Sequence, residues 1–195
     1  MSTAVAILAA GRGSRLGGDA SKPLLEWRGR PLVAWAVDAA VASGLRPLIV
    51  VVGYRGDEVR AALAGVGVLV VDNPEWEEGI ASSLRVALDA LTPMEDVGAV
   101  CVGLADQPFV SPRAYQLLAS TDGSELAVAR YEGEPGNPVK LARSLWTEAM
   151  ELRGDTGARA LIRDRVVDWV ECGHTGSAAD IDTLEDLERM QQEDQ

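Results

Sequence analysis

Residues 5–24 read VAILAAGRGSRLGGDASKPL, and this stretch decides the fold class. Its first part, residues 5–9, is a short apolar run of the kind that forms a buried parallel strand. A glycine-rich loop follows, and it carries three cationic side chains, those of Arg12, Arg15 and Lys22. Because open parallel sheets bind ligands at the carboxyl ends of their strands, this loop is the first candidate for a binding site.

The rest of the chain alternates apolar runs with helical patterns. Further strands are predicted at residues 48–52, 66–71, 99–103, 126–130 and 166–170. Helices are predicted at residues 31–43, 57–63, 78–91, 112–119, 144–152 and 155–163. This alternation predicts one Rossmann-like α/β domain over residues 1–195, with helices on both faces of a mostly parallel sheet. A Gly/Pro-rich stretch within residues 128–141 predicts a small β-hairpin insertion.

Composition excludes several classes of partner. The formal net charge of −12 has the wrong sign for nucleic acid or an anionic membrane surface. No apolar run approaches the roughly 20 residues that span a bilayer, so a cytoplasmic location is expected. Cys101 and Cys172 lie far apart and are expected to be buried thiols. His174, the single histidine, lies in a turn-like setting and is expected to face solvent instead of acting as a general base.

Two familiar phosphate-binding fingerprints fail on the glycine-rich loop. A dinucleotide fingerprint starting at Gly11 and Gly13 would need a third glycine where the chain has Leu16. A P-loop that begins at Gly13 would have Gly18 as its second glycine and would need lysine at the next position, but that residue is Asp19. What remains is a loop whose glycines permit positive φ and whose main-chain amides can approach a ligand closely.

The basic residues of the loop leave two interpretations open. The loop could be a plain strand-to-helix connection with solvated cations. It could also bind a nucleotide, with Arg12, Arg15 and Lys22 supplying the charge that a triphosphate needs. Arg15 followed by Lys22 and Pro23 favours the nucleotide loop.

Residues 8–37, LAAGRGSRLGGDASKPLLEWRGRPLVAWAV, resemble the signature of nucleotidyltransferases that activate sugars, polyols and cofactors. Five further segments follow in the order expected of one branch, the molybdenum cofactor cytidylyltransferase-like (MobA-like) group: NPEWEEGIASSLRVAL at 73–88, LADQP at 104–108, GNPV at 136–139, GDTGAR at 154–159 and DIDTLEDL at 180–187. The resemblance implies transfer of a cytidylyl group from CTP to the phosphate of molybdopterin, with release of pyrophosphate.

Two carboxylates are candidate Mg²⁺ ligands. Asp106 follows the predicted strand at residues 99–103, which places it at the same sheet edge as the first loop. Mg²⁺ prefers oxygen ligands and takes one or two protein carboxylates beside water and phosphate. The resemblance favours Asp182 as the second ligand, with Asp180 as the alternative. Asp182 with Glu185 would also fit a helix-capping pair.

The resemblance also implies the other roles in the site. Lys22 would offset charge in the transition state, while Arg15 and the loop amides would bind the departing pyrophosphate. Gly79 and Ser83 would meet the pyrimidine or ribose, although Ser82 and Ser83 could equally begin a helix. The nucleotide-binding set is Leu8, Ala9, Ala10, Gly11, Gly13, Arg15, Lys22, Gly79 and Ser83, and the catalytic set is Lys22, Arg15 and Asp106. Asp155 could cap the following helix, in a segment that relatives place near the acceptor.

The chain departs from the family pattern at Asn137, where relatives often have histidine, so an acceptor contact made by that histidine would here be made by an amide.

Three alternatives to this function stay open. GTP could replace CTP, or another phosphorylated acceptor could replace molybdopterin. Some sequences similar to this group are NAD(P)H-dependent oxidoreductases that act on a pyridine pigment. A regulatory domain that binds nucleotide without turnover is disfavoured by Lys22 and the acidic pair.

Overall fold

Nine strands and five α-helices alternate along the part of the chain that the computed structural model describes, residues 1–13, 21–163, 165–181 and 186. The strands are β1 Ser2–Ala9, β2 Glu26–Trp27, β3 Arg30–Pro31, β4 Leu48–Val52, β5 Leu69–Asp72, β6 Val97–Leu104, β7 Leu126–Tyr131, β8 Glu134–Ala142 and β9 Asp168–Glu171. The helices are α1 Leu32–Ala42, α2 Gly56–Ala62, α3 Ile80–Leu91, α4 Pro112–Ala119 and α5 Trp146–Ala149.

Seven of these strands form one sheet in the order β5-β4-β1-β6-β8-β7-β9. The pairs β5/β4, β4/β1, β1/β6 and β7/β9 are parallel, whereas β8 runs antiparallel to both of its neighbours. The mostly parallel α/β architecture that the sequence predicts is therefore confirmed. β2 and β3 form a separate two-stranded ribbon.

The predicted hairpin is formed by β7 and β8. Its turn residues Glu132 and Gly133 both have positive φ, 52° and 90°, as a tight primed hairpin turn requires. The two strands belong to the main sheet, because Leu141 of β8 pairs directly with Val100 of β6. The hairpin is therefore an integral part of the sheet, and not a local insertion as the sequence suggests.

Two apolar cores cover the two faces of the sheet. Alternate residues of β1 point to opposite sides, so that Ala6 packs with Leu84 and Leu88 of α3, while Ile7 packs among side chains of α1, α2 and α4. Helices on both faces shield the central strands from water. The described residues contain no helix that is long and apolar enough to cross a membrane.

The two last predicted helices are much shorter than expected. The pattern at 144–152 yields only the four-residue α5 after a 3₁₀ turn, and the pattern at 155–163 yields a 3₁₀ helix, Ala158–Ile162. Gly154 and Gly157 both precede the latter, and Gly154 has a positive φ of 64°. The structure buries both cysteines and exposes His174, as the sequence predicts.

The carboxyl ends of β1 and β6 meet at the point where the order of the sheet reverses. The chain proceeds from β1 outward to β4 and β5 and then returns through α3 to β6 on the other side of β1. The amide of Ala105 donates a hydrogen bond to the carbonyl of Leu8, 3.1 Å, which ties the two loops together. In open α/β sheets such a switch point is where ligands bind.

Candidate active site

A cleft of about 620 Å³ opens at this switch point. It is lined by every described residue that the sequence predicts for the site: Leu8, Ala9, Ala10, Gly11, Gly13, Lys22, Gly79, Ser83 and Asp106. Arg12, Trp76, Glu77 and Asp155 line it as well. Arg15 and Asp182 lie outside the described residues.

Lys22 and Asp106 form an ion pair on the floor of the cleft. The Nζ atom of Lys22 lies 2.5 Å from Oδ2 of Asp106. The two side chains are only 12% and 21% exposed, so water screens this pair less than a surface pair. Lys22 opens a short 3₁₀ turn, and its amide reaches back to the carbonyl of Arg12, 3.4 Å. The ammonium of Lys22 is thus held between the glycine-rich loop and the loop that carries Asp106.

The second oxygen of Asp106 fits a bound cation. Its Oδ1 atom is buried and has no hydrogen-bond partner among the residues that the structure describes, which is costly for an acceptor unless a ligand or ion satisfies it. The described part of the chain contains no cluster of three or more potential metal ligands. One or two carboxylates are nevertheless enough for Mg²⁺, because water and phosphate oxygens complete its shell. The donors present therefore fit a hard divalent ion.

Gly79 forms one wall of the cleft through a backbone conformation that other residues avoid. Its φ of 95° and ψ of −178° lie in a region populated essentially by glycine. A Cβ atom here would lie 2.5 Å from the backbone of Gly154 and 2.6 Å from Oδ1 of Asp155. The amide of Ala81 also donates to the carbonyl of Gly154, 3.1 Å. Gly79 is thus required for this close packing of the 154–155 loop.

Sequence reasoning missed Asn73, a buried residue that positions two serines. Its Nδ2 donates to Oγ of Ser82 at 2.8 Å and to Oγ of Ser83 at 3.0 Å. Because the Ser83 oxygen accepts this bond, its own proton points away from Asn73. Ser82 in turn donates to the carbonyl of Gly79, 2.8 Å. An asparagine two residues after the strand predicted at 66–71, in the segment NPEW, is the signal that could have identified it.

Trp76 is a further cleft residue that sequence reasoning missed. Its ring lies 5.2 Å from that of Tyr54, with the planes tilted by 54°. The guanidinium of Arg12 lies over the other aromatic ring, 5.2 Å from the Tyr54 centroid. Aromatic and cationic groups therefore flank the glycine-rich loop on the side of β4.

Two predictions need correction. Asp155 caps no helix, because the following 3₁₀ helix begins after Gly157 and has no side-chain cap; its carboxylate lines the cleft instead. Asn137 is 6% exposed, and its Nδ2 donates to Oε1 of Gln107, 3.1 Å. Asn137 is thus held in a buried network through the residue that follows Asp106, and it is not itself among the described residues that line the cleft.

This fold and this cleft define a class of enzyme, and comparison with known proteins gives the family. The chain belongs to the family described as MobA-like NTP transferase domain, which it matches over residues 5–170. A solved nucleotidyl transferase from Methanothermobacter superposes with a TM-score of 0.82 at 26% identity, covering 98% of this chain and 97% of that one. The protein is therefore an enzyme of the nucleotidyltransferase kind.

Two other relatives match nearly the whole chain, and a third matches about two thirds of it. Rv0371c from Mycobacterium tuberculosis H37Rv superposes with a TM-score of 0.84 at 31% identity over 98% of both chains, and a second structure of that protein is a complex with manganese. Nicotine blue oxidoreductase from Paenarthrobacter nicotinovorans is 31% identical over 94% of both chains. The bifunctional protein GlmU of Halorhodospira halophila is 38% identical over 68% of this chain, which spans only 27% of that protein.

Proposed function

We propose that this enzyme transfers the cytidylyl group of CTP to the terminal phosphate of a molybdenum-bound pterin and releases pyrophosphate. The observation that carries the proposal is the convergence of the glycine loop, the Lys22–Asp106 pair and the Gly79–Ser83 wall on one cleft. The choice of CTP and of a pterin acceptor rests on the ordered sequence segments that resemble the cytidylyltransferase-like branch.

In the proposed reaction an oxygen of the acceptor phosphate attacks the α-phosphorus of CTP. The bond from that phosphorus to the bridging oxygen breaks, and pyrophosphate leaves with the electron pair. The attacking oxygen is already anionic, so a general base has little to do, and catalysis depends on alignment and charge neutralisation. The loop amides and Arg15 would hold the leaving phosphates, and Lys22 would stabilise charge in the transition state.

Mg²⁺, when bound, would neutralise negative charge on the phosphates. Oδ1 of Asp106 is the first proposed ligand, because it is buried and accepts no hydrogen bond from any residue that the structure describes. Asp182 is the second, and it follows Ile181, whose amide donates to the Asp106 carbonyl, 3.2 Å.

The base would be read at the opposite wall of the cleft. The Ser83 hydroxyl, which accepts from Asn73, can donate to the carbonyl of a pyrimidine. The Asp155 carboxylate offers hydrogen-bond acceptors and suits the exocyclic amine of cytosine. This donor and acceptor pair favours cytosine over uracil.

Calorimetric titration with CTP, GTP, ATP and NADPH in the presence of Mg²⁺ tests the proposal. CTP should bind more tightly than the others, and Asp106→Asn should abolish the Mg²⁺ dependence of its binding. Asp89→Asn is the matched control, because Asp89 is exposed on α3 outside the cleft lining. Preference for GTP would change the assignment to guanylyl transfer.

A redox function is the second candidate, supported by the full-length similarity to nicotine blue oxidoreductase. Selective binding of NADPH, with no Mg²⁺-dependent binding of any nucleoside triphosphate, would favour it over nucleotidyl transfer.

A further inference from the structure

The chain after β9 lies along the loop that carries Asp106. The Ser177 amide donates to the carbonyl of Phe109, 3.1 Å, and the Ile181 amide donates to the carbonyl of Asp106, 3.2 Å. The hydroxyl of Ser111 donates to that of Thr175, 2.8 Å. Residues 175–181, which we call the returning segment, are thus fastened to the 106–111 loop at several points.

The side chain of Gln107 is the central contact of this arrangement. It is 4% exposed, and its Nε2 donates to the carbonyl of Ala178 at 3.0 Å and to Oδ1 of Asp180 at 2.6 Å. Both hydrogens of the amide are therefore directed at the returning segment.

Asn137 fixes the orientation of the Gln107 amide. Its Nδ2 donates to Oε1 of Gln107, 3.1 Å, so the oxygen of that amide must face Asn137 and the nitrogen must face Ala178 and Asp180. The carbonyl of Asn137 accepts in turn from the hydroxyl of Tyr131, 2.8 Å. A buried network of side chains holds one arrangement when each of its polar groups has a hydrogen-bond partner.

The returning segment is anchored at its far end by Ile181. This side chain is fully buried with Trp27 and Leu32, and Phe109 packs against the same cluster. The two anchors are adjacent in sequence to the two proposed metal ligands, since Gln107 follows Asp106 and Ile181 precedes Asp182.

We infer that Gln107 is a positioning residue for the divalent-cation site: it holds the returning segment against Asp106, with Asp180 as the anchoring carboxylate and Asp182 as the ligand. The inference rests on the proposed function, because it needs a cation at Asp106. Without the Gln107 bonds, the 106–111 loop and the returning segment would keep their backbone contacts but lose the side-chain contacts that join Gln107 to Ala178 and Asp180.

Gln107→Glu is the sharpest perturbation, because it keeps the size of the side chain. One carboxylate oxygen could still accept from Asn137, but the other would face the Ala178 carbonyl and the Asp180 carboxylate and repel both. Loss of a group that orients metal ligands typically weakens metal affinity about 10–100-fold. Mn²⁺ is the probe, titrated by electron paramagnetic resonance in the presence of a non-hydrolysable CTP analogue.

We expect Gln107→Glu to raise the Kd for Mn²⁺ about tenfold or more. Asn137→Asp should act in the same direction, because a carboxylate facing Oε1 would turn the Gln107 amide over. Gln116→Glu is the matched control, because the Gln116 side chain also donates a part-buried hydrogen bond, from α4 to the carbonyl of Ser43 at 3.2 Å. Gln116 is not among the described residues that line the cleft. Its Kd for Mn²⁺ should stay unchanged.

Any one of four results would overturn the inference. An unchanged Kd in Gln107→Glu, or a Kd that rises equally in Gln116→Glu, would mean that Gln107 supports only the fold. If Gln107→Glu does not fold, Gln107→Met is measured instead, and a Kd within twofold of wild type would have the same meaning. If the wild-type protein binds no Mn²⁺, or if Asp106→Asn leaves the Kd for Mn²⁺ unchanged, the metal site itself is wrong. That result shows failure of the proposed function and is distinct from a failure that concerns Gln107 alone.

Discussion

Gly79→Ala should destabilise the protein and open the wall of the cleft. The added methyl would lie 2.5 Å from the carbonyl carbon and oxygen of Gly154, closer than any van der Waals contact. The backbone conformation, with φ of 95° and ψ of −178°, is also one that alanine adopts only under strain.

The loss of stability in Gly79→Ala follows from the backbone strain and the steric overlap. Strain in this region of φ and ψ costs about 1–3 kcal/mol, and overpacking against backbone costs a further 1–3 kcal/mol or so. The 154–155 loop is exposed and can yield, so we expect a total of about 3 kcal/mol. For a chain of this length that corresponds to a fall in Tm of about 6–12 °C.

Differential scanning calorimetry of Gly79→Ala beside Gly157→Ala measures this directly. Gly157 lies in the same neighbourhood, but its φ is −83° and an added Cβ would meet only Ile80 at 3.7 Å. The control should therefore change Tm little or raise it slightly, because alanine restricts the unfolded chain. CTP affinity should fall in Gly79→Ala alone. Equal Tm values for the two variants would refute the packing argument.

Lys22→Met should lower kcat by about 10²-fold or more. The nucleotide-free variant should nevertheless bind Mn²⁺ more tightly than wild type, because the ammonium of Lys22 no longer competes for Asp106. Weaker Mn²⁺ binding in an electron paramagnetic resonance titration would contradict this. Asp155→Asn should reduce the preference for CTP over UTP in a competition assay, because an amide also donates to a carbonyl; an unchanged preference would remove Asp155 from the base pocket. Burial raises the pKa of Cys101 to about 12 and that of Cys172 to about 11 from a usual 9.0, so the native state retains protons that the unfolded state loses. The free energy of unfolding should then fall as pH rises above about 9, by up to about 1.4 kcal/mol for each thiol and each pH unit. A free energy of unfolding, measured by urea denaturation, that stays constant from pH 8 to 10.5 would contradict this.

The parts of the fold that sequence could predict are those set by local patterns. The strand at the start of the chain and the loop after it are contiguous, and Asp106 directly follows an apolar run, so its place at the sheet edge follows from topology. The helix predicted at 155–163 was wrong, because the apolar spacing there competes with the conformational freedom of Gly154 and Gly157. Local propensity alone cannot show which of these wins.

The rest of the site depends on contacts between residues that are distant in sequence. Asn137 and Asp180 both meet the side chain of Gln107, at separations of 30 and 73 residues, and no pattern in any one segment indicates that they meet. Asn73 supports Ser83 by the same kind of contact, across the turn between β5 and α3. Side-chain amides have no sequence period, so only the folded arrangement reveals what they hold.

The most direct test of nucleotidyl transfer is the release of pyrophosphate from CTP and Mg²⁺ in the presence of a molybdenum-bound pterin phosphate. We expect one pyrophosphate for each cytidylylated pterin formed, with turnover lost in Asp106→Asn and retained in Asp89→Asn. Formation of no pyrophosphate from any nucleoside triphosphate, together with oxidation of NADPH by the same preparation, would contradict the assignment and establish the redox alternative.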